Sequence, residues 1–211
     1  MFAIVNPEQF YPFLAAAVLV TVSPGPDNLM VLGVGISRGR AQGVAFGLGC
    51  ALGCLSHTLL AALGVSALIA ASPLAFGVLK LVGGFYLLWL GVQALRHCGE
   101  VHVSGRAVGD DSLGRRFAKG LLANAINPKV IVFFLSFLPQ FVRVESGQVG
   151  MQTALLGITF TVQSALIFGL LGYFSGTVGQ WLNRHSWTGQ WLDRLAGMIF
   201  IGLGLRLLVG Q

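Results

Sequence analysis

Charged side chains are scarce in this chain. Asp, Glu, Lys and Arg make up 9% of its 211 residues, and only seven are acidic. A soluble domain carries roughly 25% charge, so this composition cannot clothe a water-facing surface. Cysteine is rarer still: Cys50, Cys54 and Cys98 make no disulfide framework. The residues of an enzyme are missing as a set. No Ser/His/Asp constellation, no pair of membrane acids and no phosphate-binding loop stands out, and Gly109-Asp110-Asp111 falls in a hydrophilic stretch. Neither catalysis nor a bound cofactor is expected.

What is abundant is apolar: 55% of the residues are hydrophobic and the mean hydropathy is +0.80. Six apolar runs can be counted, near Phe10–Ile36, Gly43–Ala70, Leu74–Leu95, Phe117–Val142, Met151–Leu182 and Leu192–Leu208. Each is close to the roughly 20 residues that cross a bilayer. The expected fold is all-α, a polytopic membrane protein of six transmembrane helices, with the lipid bilayer as its main partner. The net charge of +6 does not point to nucleic acid, because the basic residues sit in short loops. Nine of them (Arg38, Arg40, Arg96, Arg106, Arg115, Arg116, Lys119, Arg184 and Arg194) fall between spans 1–2, 3–4 and 5–6, against Arg143, Arg206 and Lys80 opposite. By the positive-inside rule the richer loops are cytoplasmic and both termini lie outside. Met1–Gln9 has no basic residue and reads as a translocated N-terminus rather than a signal peptide.

The first span cannot be one intact helix. It contains Ser23-Pro24-Gly25-Pro26-Asp27-Asn28, and two prolines with a glycine interrupt a helix. Ser23 before Pro24 reads as an N-cap followed by a first-turn proline, restarting the helix at mid-depth. The fourth span repeats the theme in Asn124-Ala125-Ile126-Asn127-Pro128-Lys129. Each break lies about a dozen residues into its span and is followed by an ionisable group, Asp27 or Lys129. Residues 97–116 are the only substantial polar stretch, and they divide the chain into residues 1–96 and 117–211. Each part holds three spans. Three is odd, so similar halves are expected as two inverted three-helix repeats with helices 1 and 4 broken.

A helix restarting inside the membrane presents unpaired N–H groups and a positive dipole end, which favour an anion. Two such ends facing each other, helped by Lys129, suit a carboxylate, while Asp27 suits an ammonium group. An acid at membrane depth is costly and by default functional. The alternatives are that Asp27 and Lys129 pair with each other, or that Asp27 caps its own half-helix. Asn28, Asn124 and Asn127 are candidates for polar contacts, caps or interhelical hydrogen bonds. In the second span, Gly43, Gly47, Cys50, Cys54 and His57 share a helix face. That stripe reads as close helix packing ending in a hydrogen-bonded histidine; a metal centre would want further ligands. Trp181, Trp187 and Trp191 read as an aromatic belt at a membrane surface.

Ser23-Pro24-Gly25-Pro26-Asp27-Asn28, then Arg38-Gly39-Arg40 with Gly43, then Asn127-Pro128-Lys129, resemble the LysE/RhtB family of bacterial amino-acid exporters. The resemblance spans essentially the whole chain in length, apolar runs and motif order. It implies secondary active export of an amino acid or close derivative across the bacterial inner membrane, driven by the proton gradient. Family members differ in substrate, from basic amino acids to homoserine, threonine, leucine and cysteine. Asp27 is the only obvious acid for a basic side chain and is taken up if it meets the α-ammonium group, which favours a neutral amino acid. The rival reading is a small-cation or metal exporter, and assembly with further copies of the chain stays open.

Overall fold

A computed structural model describes residues 4–96, 111–184 and 186–209. The described residues are helical, with no strand among them. Helices α1 (Pro7–Val22) and α2 (Pro26–Arg38) form the first span, bent by 52° at the break. Helices α3 (Arg40–Ala71) and α4 (Pro73–Arg96) complete the first three-span set. Helix α5 (Leu113–Ala125) leads into α6 (Pro128–Val132), which runs on as a π-helical segment, Phe133–Phe137, and a 3-10 turn, Leu138–Phe141. This second broken span is also bent by 52°. Helices α7 (Val149–Tyr173), α8 (Ser175–Arg184) and α9 (Ser186–Val209) follow.

Three helices, within Arg40–Gly64, Gly77–Arg96 and Val149–Tyr173, are each long and apolar enough to cross a membrane. The two bent pairs bring the number to five. The sixth expected run lies in α9, which is 24 residues long but carries Asp193, Arg194 and Arg206 and falls outside that set. The fifth run was expected to continue to Leu182, and the structure corrects this. Helix α7 ends at Tyr173, and Phe174 closes it. At 25 residues and ~1.5 Å rise per residue, α7 already exceeds the hydrocarbon core. The following α8 is a separate short helix.

Small residues set the packing, as expected where lipid offers no hydrophobic drive between helices. A Cβ on Gly43 of α3 would lie 2.8 Å from Gly35 of α2 and 3.0 Å from the Gly172 carbonyl of α7, and one on Gly47 would lie 2.7 Å from the Phe168 carbonyl. Gly120 of α5 similarly meets the Phe46 carbonyl of α3, and Gly91 of α4 lies against the Gly197 carbonyl of α9. The glycines of the α3 stripe therefore pack helices together. Between α2 and α3 the chain turns at Gly39, whose φ of 88° is a conformation that favours glycine. Outward-facing Leu59, Leu60, Val82, Phe85, Leu166 and Leu170 remain exposed, as a lipid-facing belt requires.

The two membrane surfaces carry different clamps. Asp111, just before α5, accepts from Lys119 at 2.7 Å and pairs with Arg116 at 3.1 Å and Arg115 at 3.3 Å. The Lys119 hydrogen bond, with the guanidinium groups beside it, holds the Asp111 carboxyl below the usual carboxylate range. Gln42 of α3 donates to the Asp111 carbonyl at 2.9 Å and accepts from Arg116 Nε at 3.2 Å. At the opposite surface Arg143 pairs with Glu8 at 3.1 Å. The polar linker, expected over 97–116, yields to helix at Leu113, where Ser112 caps α5 by accepting from Arg115 N at 3.3 Å. Residues 97–110, with Cys98 and Arg106, lie outside the described residues, as do the side chains of Trp187 and Asp193.

Candidate functional site

The first break is placed differently from the sequence expectation. Ser23 ends α1 rather than starting α2: its N–H donates to the Leu19 carbonyl at 3.0 Å and its hydroxyl to the Val20 carbonyl at 2.8 Å. The N-cap of α2 is Gly25, with φ −176° and ψ 176°, and Pro26 is the first helical residue. The reason is steric. A residue before proline is pushed out of the α region, so Ser23 before Pro24 and Gly25 before Pro26 are both extended, and helix resumes only at Pro26. Pro24 is thus a bridge between half-helices, and the counterpart of Pro128 is Pro26.

At the second break Asn127 is the N-cap, as expected. Its side chain accepts from Lys129 N at 3.1 Å, and Pro128 opens α6. The corrected alignment makes the two restarts chemically parallel. Each opens with proline and places its ionisable residue next, Asp27 on α2 and Lys129 on α6.

Each of these residues reaches across to the other break. Lys129 Nζ donates to the Ser23 carbonyl at 2.8 Å and to the Ser23 hydroxyl at 2.7 Å. Asp27 Oδ2 accepts from Asn124 Nδ2, at the end of α5, at 2.7 Å. The start of each second half-helix is therefore tied to the end of the other span's first half-helix. Charges match the dipoles at these ends: Lys129 sits on the carbonyl end of α1, and Asp27 lies in the first turn of α2. Among the described residues no ion pair joins Asp27 to Lys129, so the direct-pairing alternative is not the arrangement found. Neither side chain turns away to the membrane surface, for Asp27 is 4% and Lys129 7% exposed. Phe200 of α9 lies 5.4 Å from Lys129 Nζ, face-on to the ammonium.

The remaining candidates divide. Asn124 is a hub: besides Asp27 it accepts from Cys54 Sγ at 3.4 Å, and its carbonyl lies 3.2 Å from His57 Nε2. Asn28 donates to the Thr21 carbonyl at 2.9 Å and bridges its own break. Gly25 lies where a Cβ would come within 3.2 Å of Lys129 Nζ, so glycine lets the ammonium approach the backbone. Cys54 and His57, singled out as the end of a packing stripe, buttress Asn124, and no group of three His, Cys, Asp or Glu side chains able to hold a metal occurs among the described residues.

Two spaces meet at Lys129. A small cavity of about 20 Å³, lined in part by Thr21, Asp27, Asn28, Asn124, Lys129 and Ser164, has room for roughly one ordered water. A larger cleft of about 640 Å³ also borders Lys129, walled by Leu29, Met30, Tyr86, Leu90, Gln93 and Phe200. Gly25, Asn127 and Lys129 line both. The cleft extends along α2 and α4 to Ala94, two residues short of Arg96. Among the described residues it holds no acidic side chain.

The family profile described as LysE type translocator matches residues 18–211, nearly the whole chain. The chain belongs to the LysE type translocator family. Among curated relatives the translocator is 32% identical over 203 residues to an uncharacterized membrane protein of Pseudomonas aeruginosa, covering 94% of each chain. It is 30% identical over 207 residues to the leucine efflux protein of Enterobacter sp. strain 638, and 29% identical over 209 residues to that of Salmonella typhimurium, covering 98% of each chain in both cases. No solved structure matches it. The translocator is a multi-pass bacterial membrane protein, and its family is one of transporters.

Sequence reasoning missed one part of the site. Thr21, Gln163 and Ser164 form a buried polar cluster on the α1/α7 side of the small cavity. Gln163 Nε2 donates to Thr21 Oγ1 at 2.8 Å and to Ser164 Oγ at 2.8 Å. Gln163 is an amide in the middle of the apolar run that becomes α7, and a polar residue at that depth was the available signal.

Proposed function

We propose that the translocator exports a neutral, apolar α-amino acid, of which leucine is the type, across the bacterial inner membrane. The observation that carries this reading is the crossed arrangement at the breaks. An ammonium and a carboxylate of the protein flank one cavity without neutralising each other in an ion pair.

The chemistry follows from what each group now holds. Lys129 rests on the Ser23 carbonyl and hydroxyl. A substrate carboxylate arriving through the cleft takes that ammonium in a charge-assisted bond, worth roughly 1.5–3 kcal/mol. The freed Ser23 carbonyl, at the negative end of α1, and Asp27 then receive the substrate ammonium. The side chain stays among Leu29, Met30, Leu90 and Phe200, an apolar wall with no acid for a basic side chain among the described residues. The 20 Å³ cavity cannot hold an amino acid, so the substrate first docks at Lys129 from the cleft and reaches Asp27 only as the cavity widens.

Proton coupling follows from the single acid. Asp27 cannot hold a proton and a substrate ammonium together. Alternate occupation of Asp27 gives exchange of one proton inward for one amino acid outward. The two three-span sets are read as inverted repeats, supported by the equal 52° bends, the shared Pro-plus-ionisable restart and the reciprocal ties across the breaks.

The test is efflux from an exporter-deficient strain loaded with each amino acid in turn, together with thermal stabilisation of purified protein by the same panel and by zinc and copper ions. Efflux of leucine, with weaker efflux of isoleucine, valine or methionine, is the expected result. Efflux of lysine or arginine only, or stabilisation by the metals alone, overturns it.

A further inference from the structure

The solute site is open on one side, through the cleft along α2 and α4. On the other side a continuous barrier runs from the small cavity to the surface that bears Glu8 and Arg143. Phe160, which lines the cavity, stacks on Phe133 at 4.8 Å and meets Phe134 at 5.1 Å between ring centroids. Phe133 leads to Phe13 at 6.1 Å, and Phe13 to Phe141 at 5.4 Å. All five rings are buried. His57 packs against Phe134 at 5.7 Å between ring centroids and the Arg206 guanidinium against Phe141 at 5.7 Å. The rings themselves touch from Phe160 to Phe141, and a zwitterion cannot cross them without the rings parting.

A pair of buried amides holds the far end of the stack. Gln9 of α1 donates from Nε2 to the Phe141 carbonyl at 2.8 Å and to Gln152 Oε1 at 3.0 Å. Gln152 of α7 donates to the Arg143 carbonyl at 2.9 Å and the Gly147 carbonyl at 2.7 Å, and it accepts from Arg143 N at 3.0 Å. Three elements are thereby joined: the start of α1, the start of α7 and the segment 141–147 between them. Every donor and acceptor in the pair is used, yet the bonds are all neutral. Such bonds part and re-form readily where water enters, which suits a contact broken once per transport cycle, and they do not respond to pH. Two sets of charged groups lie near them: the Glu8–Arg143 pair at the exposed rim, and Arg206 of α9, whose guanidinium lies 5.7 Å from the centre of the Phe141 ring.

The backbone of the barrier is also unlike the rest of the bundle. Phe133, Phe134 and Phe137 stand on the π-helical segment and Phe141 on the 3-10 turn. Departures from α-helix of this kind mark functional segments and hinges. On these grounds we propose that Gln9, Gln152 and the Phe133–Phe141 segment form the external gate of the translocator, with the Gln9–Gln152 amide pair as its latch. The state seen here is closed outward and open toward the cytoplasm. The direction rests on the export reading and the positive-inside topology; the barrier itself does not, and the experiment separates the two.

The full-length protein is taken with Cys50, Cys54 and Cys98 replaced by serine, and with Ser164→Cys as a reporter in the cavity. An impermeant methanethiosulfonate is applied from outside to intact cells and from the cytoplasmic side to inverted vesicles. No substrate is needed. The reporter should resist the external reagent, and Gln152→Leu should speed external labelling at least tenfold while leaving labelling from the cytoplasmic side within twofold. As a second measurement, Gln9→Cys with Gln152→Cys, joined by a short bis-methanethiosulfonate linker, should stop leucine efflux. Reduction should restore it to the untreated rate of the double variant, and the reagent should leave the rate of either single-cysteine variant where it was without it. An external labelling rate unchanged by Gln152→Leu, or undiminished efflux by the linked protein, removes the gate. Preferential external labelling of the parent reverses its side. Correct labelling with no leucine efflux from any variant retains the barrier and rejects the export reading.

Discussion

The two broken spans are built alike up to their second helical residue and differently after it. Both bend by 52°, both restart with proline, and both place an ionisable residue next. From there α2 continues as regular helix from Pro26 to Arg38, whereas α6 gives way after Val132 to π-helix and then to a 3-10 turn. In the proposed function the shared part carries the solute chemistry. Opposite charges at equivalent positions suit a substrate with opposite charges at its two ends. The part that differs carries the aromatic barrier. On the proposed reading, two repeats share a binding geometry while only one supplies the outer gate.

Removing the charge from the first break should have the largest effect. Asp27→Asn keeps an acceptor oxygen for Asn124, so folding and insertion should persist, while gradient-driven efflux should fall at least 100-fold because no group is left to exchange a proton. Efflux driven by a pH gradient in proteoliposomes, alongside expression level, measures this; accumulation against a gradient at the parental level would take Asp27 out of coupling and turn attention to His57, one step away through Asn124. Neutralising the second break should affect binding instead. Lys129→Met should weaken the apparent affinity for leucine roughly tenfold to 100-fold, the value of a charge-assisted bond, and leave counter-proton movement per leucine unchanged.

A smaller effect is expected at Gly25. Alanine there would place its Cβ 3.2 Å from Lys129 Nζ, and the ammonium must shift by a few tenths of an ångström. A several-fold rise in the leucine concentration for half-maximal efflux is expected, with no change in thermal stability. Glu8→Gln at the exposed rim should change efflux less than twofold, since exposed ion pairs contribute about 0–1 kcal/mol. A large loss there would mean that the Glu8–Arg143 pair, rather than the buried amides, holds the outer end.

The existence of both breaks was legible in the sequence, because proline with glycine inside an apolar run leaves few alternatives. The all-helical class was legible in the apolar runs, and the meeting of Asp27, Asn124 and Lys129 at one cavity in the rarity of polar groups at that depth. The placement of the first restart was not. Ser23-Pro24 and Gly25-Pro26 both read as N-cap and first-turn pairs, and only the push of Pro26 on Gly25, out of the α region, decides for the second. The π-helical segment left no mark, since Phe133–Phe137 reads as an ordinary apolar run. Nor did the crossing of partners, because which half-helix end Lys129 reaches is decided by tertiary packing. The division at residue 173 had a mark, the polar Ser175, Thr177, Gln180 and Asn183 that follow it, and the length of α7 explains why the span stops there.

The central claim is that the two breaks hold the two ends of one amino acid. Thermal stabilisation of the purified parent, Lys129→Met and Asp27→Asn proteins by leucine, leucinamide and 4-methylpentanoate tests it most directly, because the amide lacks the carboxylate and the acid lacks the ammonium group. The account predicts that Lys129→Met weakens leucine and 4-methylpentanoate but leaves leucinamide where it was, and that Asp27→Asn weakens leucine and leucinamide but leaves 4-methylpentanoate where it was. Equal losses for all three ligands in either variant would contradict it.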